Sequence, residues 1–389
     1  MNRSLFASSS AMILGNLGVV GGGFLIVALL PDIRRELHLS ATEAGLLISI
    51  YAITYAISSP LLGWAGTRLP YRLVLITATL IAAAGCLMAA HADGPGFFMA
   101  SRVVAAFGAA LFTPTAAAFA VSINSPEHRG KALSTVALGV SLSQVIALPA
   151  ASLVNNVLGW RSAFTIAGGF LVMVALLLRL VAPGHTRPPK LSLNVFRAAL
   201  LNRRLMANAS LTALFSGACN MIYAFQAEIF IANAGLTAST LGVVLLCLGV
   251  GTLAGTWVAG RAIDLVGASK TLTGQAVMIA IICVPMTSLH YSFSAACVIA
   301  VIAGGSLFTH IAPLQMRLIR LMPAGSGMIF SINASFIYVG SAIGSLASGG
   351  IVDTFGLEWL GPSAVAVVAA GLIYMRFLDR LAARQKEIV

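Results

Sequence analysis

Charge is what this chain has least of. Asp, Glu, Lys and Arg make up 9% of its 389 residues, whereas a soluble domain carries about a quarter, because a water-facing surface needs them. Too little polar surface exists to cover a globule in water, so lipid is the expected solvent. Cysteine is also scarce. The five (Cys86, Cys219, Cys247, Cys283, Cys297) all fall in apolar runs at spacings that suit no metal, and read as small buried hydrophobes. No Walker loop, H-E-x-x-H or G-x-S-x-G occurs, so ATP-driven pumping and hydrolysis lack their parts, and neither a metal nor a cofactor is expected. The stretch GVGTLA (249–254) imitates a dinucleotide fingerprint, but no strand precedes it. Its glycines, like the pairs Gly251/Gly255 and Gly340/Gly344, read as close helix packing.

What is present in quantity is apolar sequence in long runs. Twelve are long enough to span a bilayer: 10–30, 44–63, 73–90, 97–122, 132–157, 162–182, 207–232, 238–260, 271–290, 293–316, 326–351 and 359–379. The expected class is an all-α membrane protein. The first run is followed by Pro31 and the charged stretch Asp32–Glu36 rather than by a cleavage site, and reads as a retained helix. Connections are short except for Pro183–Asn208, which holds Pro188, Pro189 and Lys190, then Arg197, Arg203 and Arg204. It divides the chain into an amino-terminal six-helix bundle (1–183), a linker (184–206) and a carboxy-terminal six-helix bundle (207–389).

Orientation follows from the basic residues. With the amino terminus inside, nineteen Lys and Arg fall in cytoplasmic segments and three (Arg34, Arg35, Arg161) outside, so both termini are expected in the cytoplasm. The net charge of +12 then needs no nucleic acid to explain it.

The stretch GRAIDLVGASK (260–270) places an acid and two bases between two apolar runs, and GWAGTRLPYRL (63–73) is a degraded copy almost half a chain earlier. Each reads as a polar turn between the second and third helix of its own half. Parallel repeats about an axis along the membrane normal put a solute site between the halves, near the bilayer midplane.

These turns resemble the loop signature of the major facilitator superfamily, G-x-L-a-D-r-x-G-r-k. The second copy keeps Gly260, Asp264, Gly267 and Lys270. The first keeps Gly63, Arg68 and Arg72, with Thr67 at the acid position and Pro70 at the second glycine. Further resemblances are the Arg-containing start of the fourth helix (101–114), SPEHRGKAL (125–133), LGWRSAF (158–164) and GGIVDTFG (349–356). Within the family, LLPDIRREL and APLQMRLIR (312–320) look like bacterial twelve-helix drug–proton antiporters, near the arabinose-, sugar-, purine nucleoside- and chloramphenicol-efflux carriers. That resemblance implies two pseudo-symmetric bundles in a bacterial inner membrane and a small-molecule solute exchanged for protons. The lipid bilayer is the partner, nucleic acid is not, and one chain suffices. Where such members carry T-E-F in helix one, this chain has Gly22-Gly23-Phe24, so that intramembrane acid is missing.

By pseudo-symmetry, Asp264 is expected to accept hydrogen bonds from the start of helix five, near Ala132, Arg129 and Lys131, whenever the cytoplasmic side is closed. Lys270, Thr67, Arg68 and Arg72 complete this gating set. A role in folding or topology is the competing reading. Glu228 is the acid placed within an apolar run, as a proton carrier or as a solvated helix end. Arg102, inside helix four, must face the interior, with a gating or proton-relay role expected. Asn16, Gln144, Asn220, Tyr223, Gln226, His310 and Asn333 are polar groups within spans; they either touch solute or bond between helices. Tyr51, Tyr55, Phe112, Phe215, Phe225, Phe330 and Phe336 are offered as apolar cavity walls or ordinary packing. Pro149 is expected to kink or weaken helix five. A facilitator or symporter that imports a solute, or a sensor on a transporter fold, are the alternatives.

Overall fold

The computed structural model describes residues 3–66, 68–124, 136, 138–184, 186–187, 200–321 and 326–387. Among them, twelve helices are long and apolar enough to cross a membrane. Numbered in chain order, the first six spans are Ser8–Glu36, Ala41–Leu62, Tyr71–Ala90, Pro95–Ser122, Leu138–Leu158 and Trp160–Val181. The last six are Arg203–Tyr223, Ser239–Val266, Ala268–Ser288, Phe293–Leu321, Ile332–Phe355 and Leu357–Ala383. Directions alternate, so both ends of the described chain share one face, called here the near face; the connections after spans one, three, five, seven, nine and eleven form the far face.

Helix ends follow local chemistry. Span two starts with a capping box: the Ser40 hydroxyl accepts from the Glu43 N–H at 3.1 Å, and the Glu43 carboxylate accepts from the Ser40 N–H at 2.9 Å. Asn202 caps span seven by accepting from the N–H groups of Arg204 and Leu205, both at 3.1 Å. Spans eight and nine are joined through Gly267 alone, whose φ of +84° suits a residue without a Cβ. The polar stretch 260–270 is therefore mostly helix, and its turn has shrunk to one residue.

Three spans are interrupted at depth. Pro149 has no N–H and crowds the carbonyl four residues back, and span five widens into a π turn over Ser143–Ala147. Span seven breaks at Ala224–Phe225 and resumes as a short helix, Gln226–Ala234, at the far face. Span ten breaks at Phe308–His310 between Phe293–Leu307 and Ile311–Leu321. Span one, in contrast, continues through Pro31 to Glu36. The charged last turns persist because their side chains find partners: Asp32 accepts from Asn155, Glu36 from Trp160 and Arg161, and Arg34 pairs with Glu228.

Glycines allow the tightest crossings. A methyl added at Gly251 would overlap the Val301 carbonyl, and one at Gly255 the Gly305 carbonyl, so spans eight and ten approach backbone to backbone. Gly340 and Gly344 do the same for span eleven against Ala213 and Gly217 of span seven. The dinucleotide lookalike is a packing stripe.

Candidate functional site

The first span carries three consecutive glycines at its middle, and each is filled by a neighbour. A Cβ on Gly21 would meet Ala147 of the π turn at 2.8 Å, and one on Gly22 would meet Cys86 Sγ of span three at 2.9 Å. One on Gly23 would overlap the Tyr51 hydroxyl of span two. The Gly23 carbonyl accepts a hydrogen bond from Arg102 Nη2 at 2.5 Å, and Phe24 stands edge-on to Tyr223 of span seven with ring centres 5.6 Å apart. Four residues thus touch spans two, three, four, five and seven. At position 23, where the resembled carriers have an acid, the space belongs to Tyr51 and the neighbouring polar group is Arg102.

Arg102 is 2% exposed. Its guanidinium lies 4.6 Å from the centre of the Tyr51 ring as well as on the Gly23 carbonyl. A π face and a carbonyl dipole stand where a carboxylate would otherwise compensate the charge.

From there an aromatic array crosses between the first six and last six spans. Tyr55 stacks on Tyr338 with centres 3.7 Å apart, Tyr51 tilts against the same ring at 6.5 Å, and Tyr223 meets Phe308 edge-on at 5.1 Å. Phe308 belongs to the break in span ten and Tyr223 ends the first part of span seven, so two helix interruptions face each other through their rings. Tyr51 and Tyr55 therefore line this interface, whereas Phe112 and Phe215 are fully buried, Phe112 against Gly15 and Phe215 over His310.

The polar residues singled out in the sequence divide into two groups. Asn16 donates to the Val136 carbonyl at 3.2 Å and accepts from Thr113 at 2.8 Å. Asn333 accepts from Thr212 at 2.9 Å, and Asn220 donates to the Ser341 hydroxyl at 2.8 Å. His310 Nδ1 lies 3.1 Å from the Leu307 carbonyl, which only accepts, so Nδ1 carries the proton and Nε2 accepts from Ser216 at 2.9 Å. These four are bonded between or within helices. Gln144, Tyr223 and Gln226 form the second group. They are 7%, 1% and 0% exposed, yet among the described residues Gln144 Oε1, the Tyr223 hydroxyl and both amide atoms of Gln226 lack a hydrogen-bond partner.

At the far face the two sets of six spans are fastened together. Arg34 of span one forms an ion pair with Glu228 in the first turn of the helix Gln226–Ala234; their side chains are 23% and 12% exposed. Asp353 of span eleven accepts from the backbone N–H groups of Ala41 and Thr42 at 2.9 and 2.7 Å. These are the first N–H groups of span two, which its own capping box leaves free. Between them, Gly45 lies against the Ser345 carbonyl, Gly349 against Ala41 and Thr42, and the Ser49 hydroxyl donates to the Ala342 carbonyl at 2.7 Å. Spans five and eight meet likewise, Gly242 against Leu153 and Gly249 against Val145 and Gln144. Among the described residues these fastenings run from the far face to mid-depth, ending at Tyr55–Tyr338 and Gly249.

The near-face set behaves differently. Asp264 and Lys270 are exposed, and no hydrogen bond or ion pair joins Asp264 to the first six spans among the described residues. Arg72 donates to the Arg179 carbonyl within the first six spans, and Arg68 is exposed. Thr67, Arg129, Lys131 and the start of helix five lie outside the described residues. A carboxylate does cap a helix start at the opposite face, where Asp353 serves span two.

Asp353 and Arg34 were not singled out in the sequence. The signal available for Asp353 was its place in GGIVDTFG, which matches the repeat chemistry of an acid near a span end; nothing local points to Ala41, 312 positions away.

Comparison with known proteins agrees with this architecture. The sequence model of the Major Facilitator Superfamily matches residues 12–330. The inner membrane transport protein YdhP of Escherichia coli (strain K12) is 26% identical over 364 residues, 93% of this chain and 92% of that protein. A chloramphenicol resistance protein of Streptomyces lividans is 32% identical over 253 residues, 62% of each chain. In structure, a bacterial homologue of the human lysosomal transporter Spinster, inward-facing and occupied, superposes with a TM-score of 0.77, covering 97% of this chain and 96% of that one at 16% identity. A variant of the nucleoside transporter NupG gives 0.78, covering 96% and 99% at 12% identity. The twelve spans, their pairing and the sequence match lead to one conclusion: this chain is a multi-pass inner-membrane transporter belonging to the major facilitator superfamily.

Proposed function

We propose that the chain is a proton-coupled exporter of a small organic molecule such as a drug, sugar or nucleoside, working by alternating access. The basic-residue bias makes the near face cytoplasmic. In the conformation described, the far, outer side is fastened, and a solute enters from the cytoplasm. The observation that carries the reading is the Arg34–Glu228 pair, which bridges span one and the far-face piece of span seven. A proton arriving from outside neutralises Glu228, leaves Arg34 without its partner and releases this fastening; once the far side has closed again, Glu228 gives that proton up to the cytoplasmic side and re-pairs with Arg34, so proton entry and outward opening are linked. Glu228 is then the coupling carboxylate, with the Asp353 cap and the glycine crossings restoring closure. Arg102 holds span one through Gly23 rather than relaying protons.

A second reading, gradient-independent facilitation, is favoured by Gly23, whose missing carboxylate leaves Arg102 on a carbonyl. Everted vesicles separate the two. Proton-dependent accumulation of a candidate solute is expected in the parent, and Glu228→Gln is expected to abolish the dependence on the pH gradient while solute exchange persists. Undiminished proton-driven accumulation in Glu228→Gln at every pH removes this residue from the coupling. Equilibration without a gradient in the parent chain establishes facilitation.

A further inference from the structure

Two of the five thiols stand together. Cys247 of span eight and Cys297 of span ten are partly exposed, and the other three are buried. The crossing of the two spans sets this pairing. Gly251 lies against Val301 and Gly255 against Gly305, backbone on backbone, and Gly304 closes on the Leu248 carbonyl. Both spans start at the far face, so they run parallel and the register repeats turn by turn. One turn outward from Gly251 is Cys247, and one turn outward from Val301 is Cys297. The two thiols interact with each other. A crossing this tight keeps facing Cα atoms near the roughly 4–7 Å that a disulfide spans.

Depth decides which oxidant reaches them. Cys297 is four residues inside the helix that starts at Phe293, and Cys247 is eight residues from Ser239. At the helical rise these are depths of about 6 and 12 Å, both in the far half of a hydrocarbon layer roughly 30 Å thick. A soluble oxidising protein is too large to enter there, whereas a small uncharged hydroperoxide dissolves in lipid. Cys219 and Cys283 also interact, but they are 1% and 0% exposed and shut off from such a reagent.

The geometry points to a modification site: Cys247 and Cys297 are a dithiol that a hydroperoxide converts into a disulfide, tying the outer piece of span ten to span eight. Cys297, nearer the surface, attacks as the thiolate on the terminal peroxide oxygen. The O–O bond breaks, an alcohol leaves with one thiol proton, and Cys297 becomes a sulfenic acid. The Cys247 thiolate then attacks that sulfur, the S–O bond breaks, and water leaves with the other proton. Two thiols lose two electrons, and the hydroperoxide gains them as alcohol and water. The outer piece, Phe293–Leu307, joins the rest of span ten through the break at Phe308–His310, so a second attachment at Cys297 holds it in place. This chemistry is independent of which solute is carried and of proton coupling.

The test treats membranes holding the full chain with cumene hydroperoxide, then denatures the protein and counts thiols with a polyethylene-glycol maleimide. Untreated parent is expected to take five labels and treated parent three, with dithiothreitol restoring five. Cys247→Ser and Cys297→Ser each start at four and should keep at least three, since a lone sulfenic acid hides one thiol and a disulfide hides two. Mass spectrometry of the unreduced digest should show the peptides of Cys247 and Cys297 joined. Backbone hydrogen exchange at Phe308–His310 should slow several-fold in treated parent and not in treated Cys297→Ser. The inference is overturned if treated parent keeps five labels, if either variant loses two, or if the joined peptides are those of Cys219 and Cys283 or of two separate chains. Unchanged exchange in a parent that carries the disulfide would dispose of the hold on span ten.

Discussion

Removing the Asp353 carboxylate tests the far-side closure most directly. Asp353→Ala deletes the acceptor for the Ala41 and Thr42 N–H groups at 2.9 and 2.7 Å, and with it a negative charge at the positive end of span two. The Ser40–Glu43 box remains and still serves its own N–H group. What is lost is therefore the portion of the cap supplied by the other half of the molecule. Loss of a helix cap costs about 1–2 kcal/mol, and because this one exists only while the far face is closed, the whole cost falls on that conformer. About 1.4 kcal/mol is a factor of ten, so the ratio of far-open to far-closed molecules is expected to rise by about tenfold. Spin labels at Asp93, exposed on a far-face connection, and at Ser294, exposed in the first turn of span ten at the same face, would report it as a longer-distance population in double electron–electron resonance. Cys247 and Cys297, the partly exposed thiols, are replaced first. Asp353→Asn keeps an acceptor but no charge and should fall between the two. An unchanged distance distribution in Asp353→Ala, or equal shifts for Ala and Asn, would refute a charge-assisted cap.

Other outcomes follow from contacts already described. Gly45→Val places a branched side chain on the Ser345 carbonyl and should prevent far-side closure; the same labels would show it, and solute transport should fall to background. Gly23→Ala overlaps the Tyr51 hydroxyl, and overpacking of this kind costs about 1–3 kcal/mol, read as a lower melting temperature of the purified protein. Ser216→Ala leaves His310 Nε2 without its donor in an apolar setting and should destabilise by about 1–3 kcal/mol, whereas His310→Leu with Ser216→Ala together should recover part of that loss in the same melting measurement.

The spans were legible because the constraint behind them is blunt: about twenty apolar residues are needed to cross hydrocarbon, and the predicted runs coincide with the observed helices to within a few residues at most ends. Misreadings occurred where tertiary partners outweighed a local rule. Proline and charge after Leu30 suggested a helix end, but Asn155, Trp160 and Arg161 receive those charges and the helix persists to Glu36. Span seven was read as continuous over 207–232, since neither glycine nor proline marks Ala224–Phe225; the interruption shows in no local pattern. Asn16 and Gln226 look alike in sequence, each an amide in an apolar run. One has Thr113 within reach and the other has no partner among the described residues, and that difference is decided by residues far along the chain. Glu228 was recognised as unusual, but its partner Arg34 lies 194 positions away.

The discontinuities in spans seven and ten change what outward opening involves. A rigid bundle must swing half of its mass to free a solute, moving both mouths at once. A bundle jointed at Ala224–Phe225 and at Phe308–His310 offers shutters: the outer pieces, nine residues in span seven and fifteen in span ten, can turn about their joints while the inner lengths stay seated. Entrance and exit can then move one after the other, with the joints marking where the barrier between them sits.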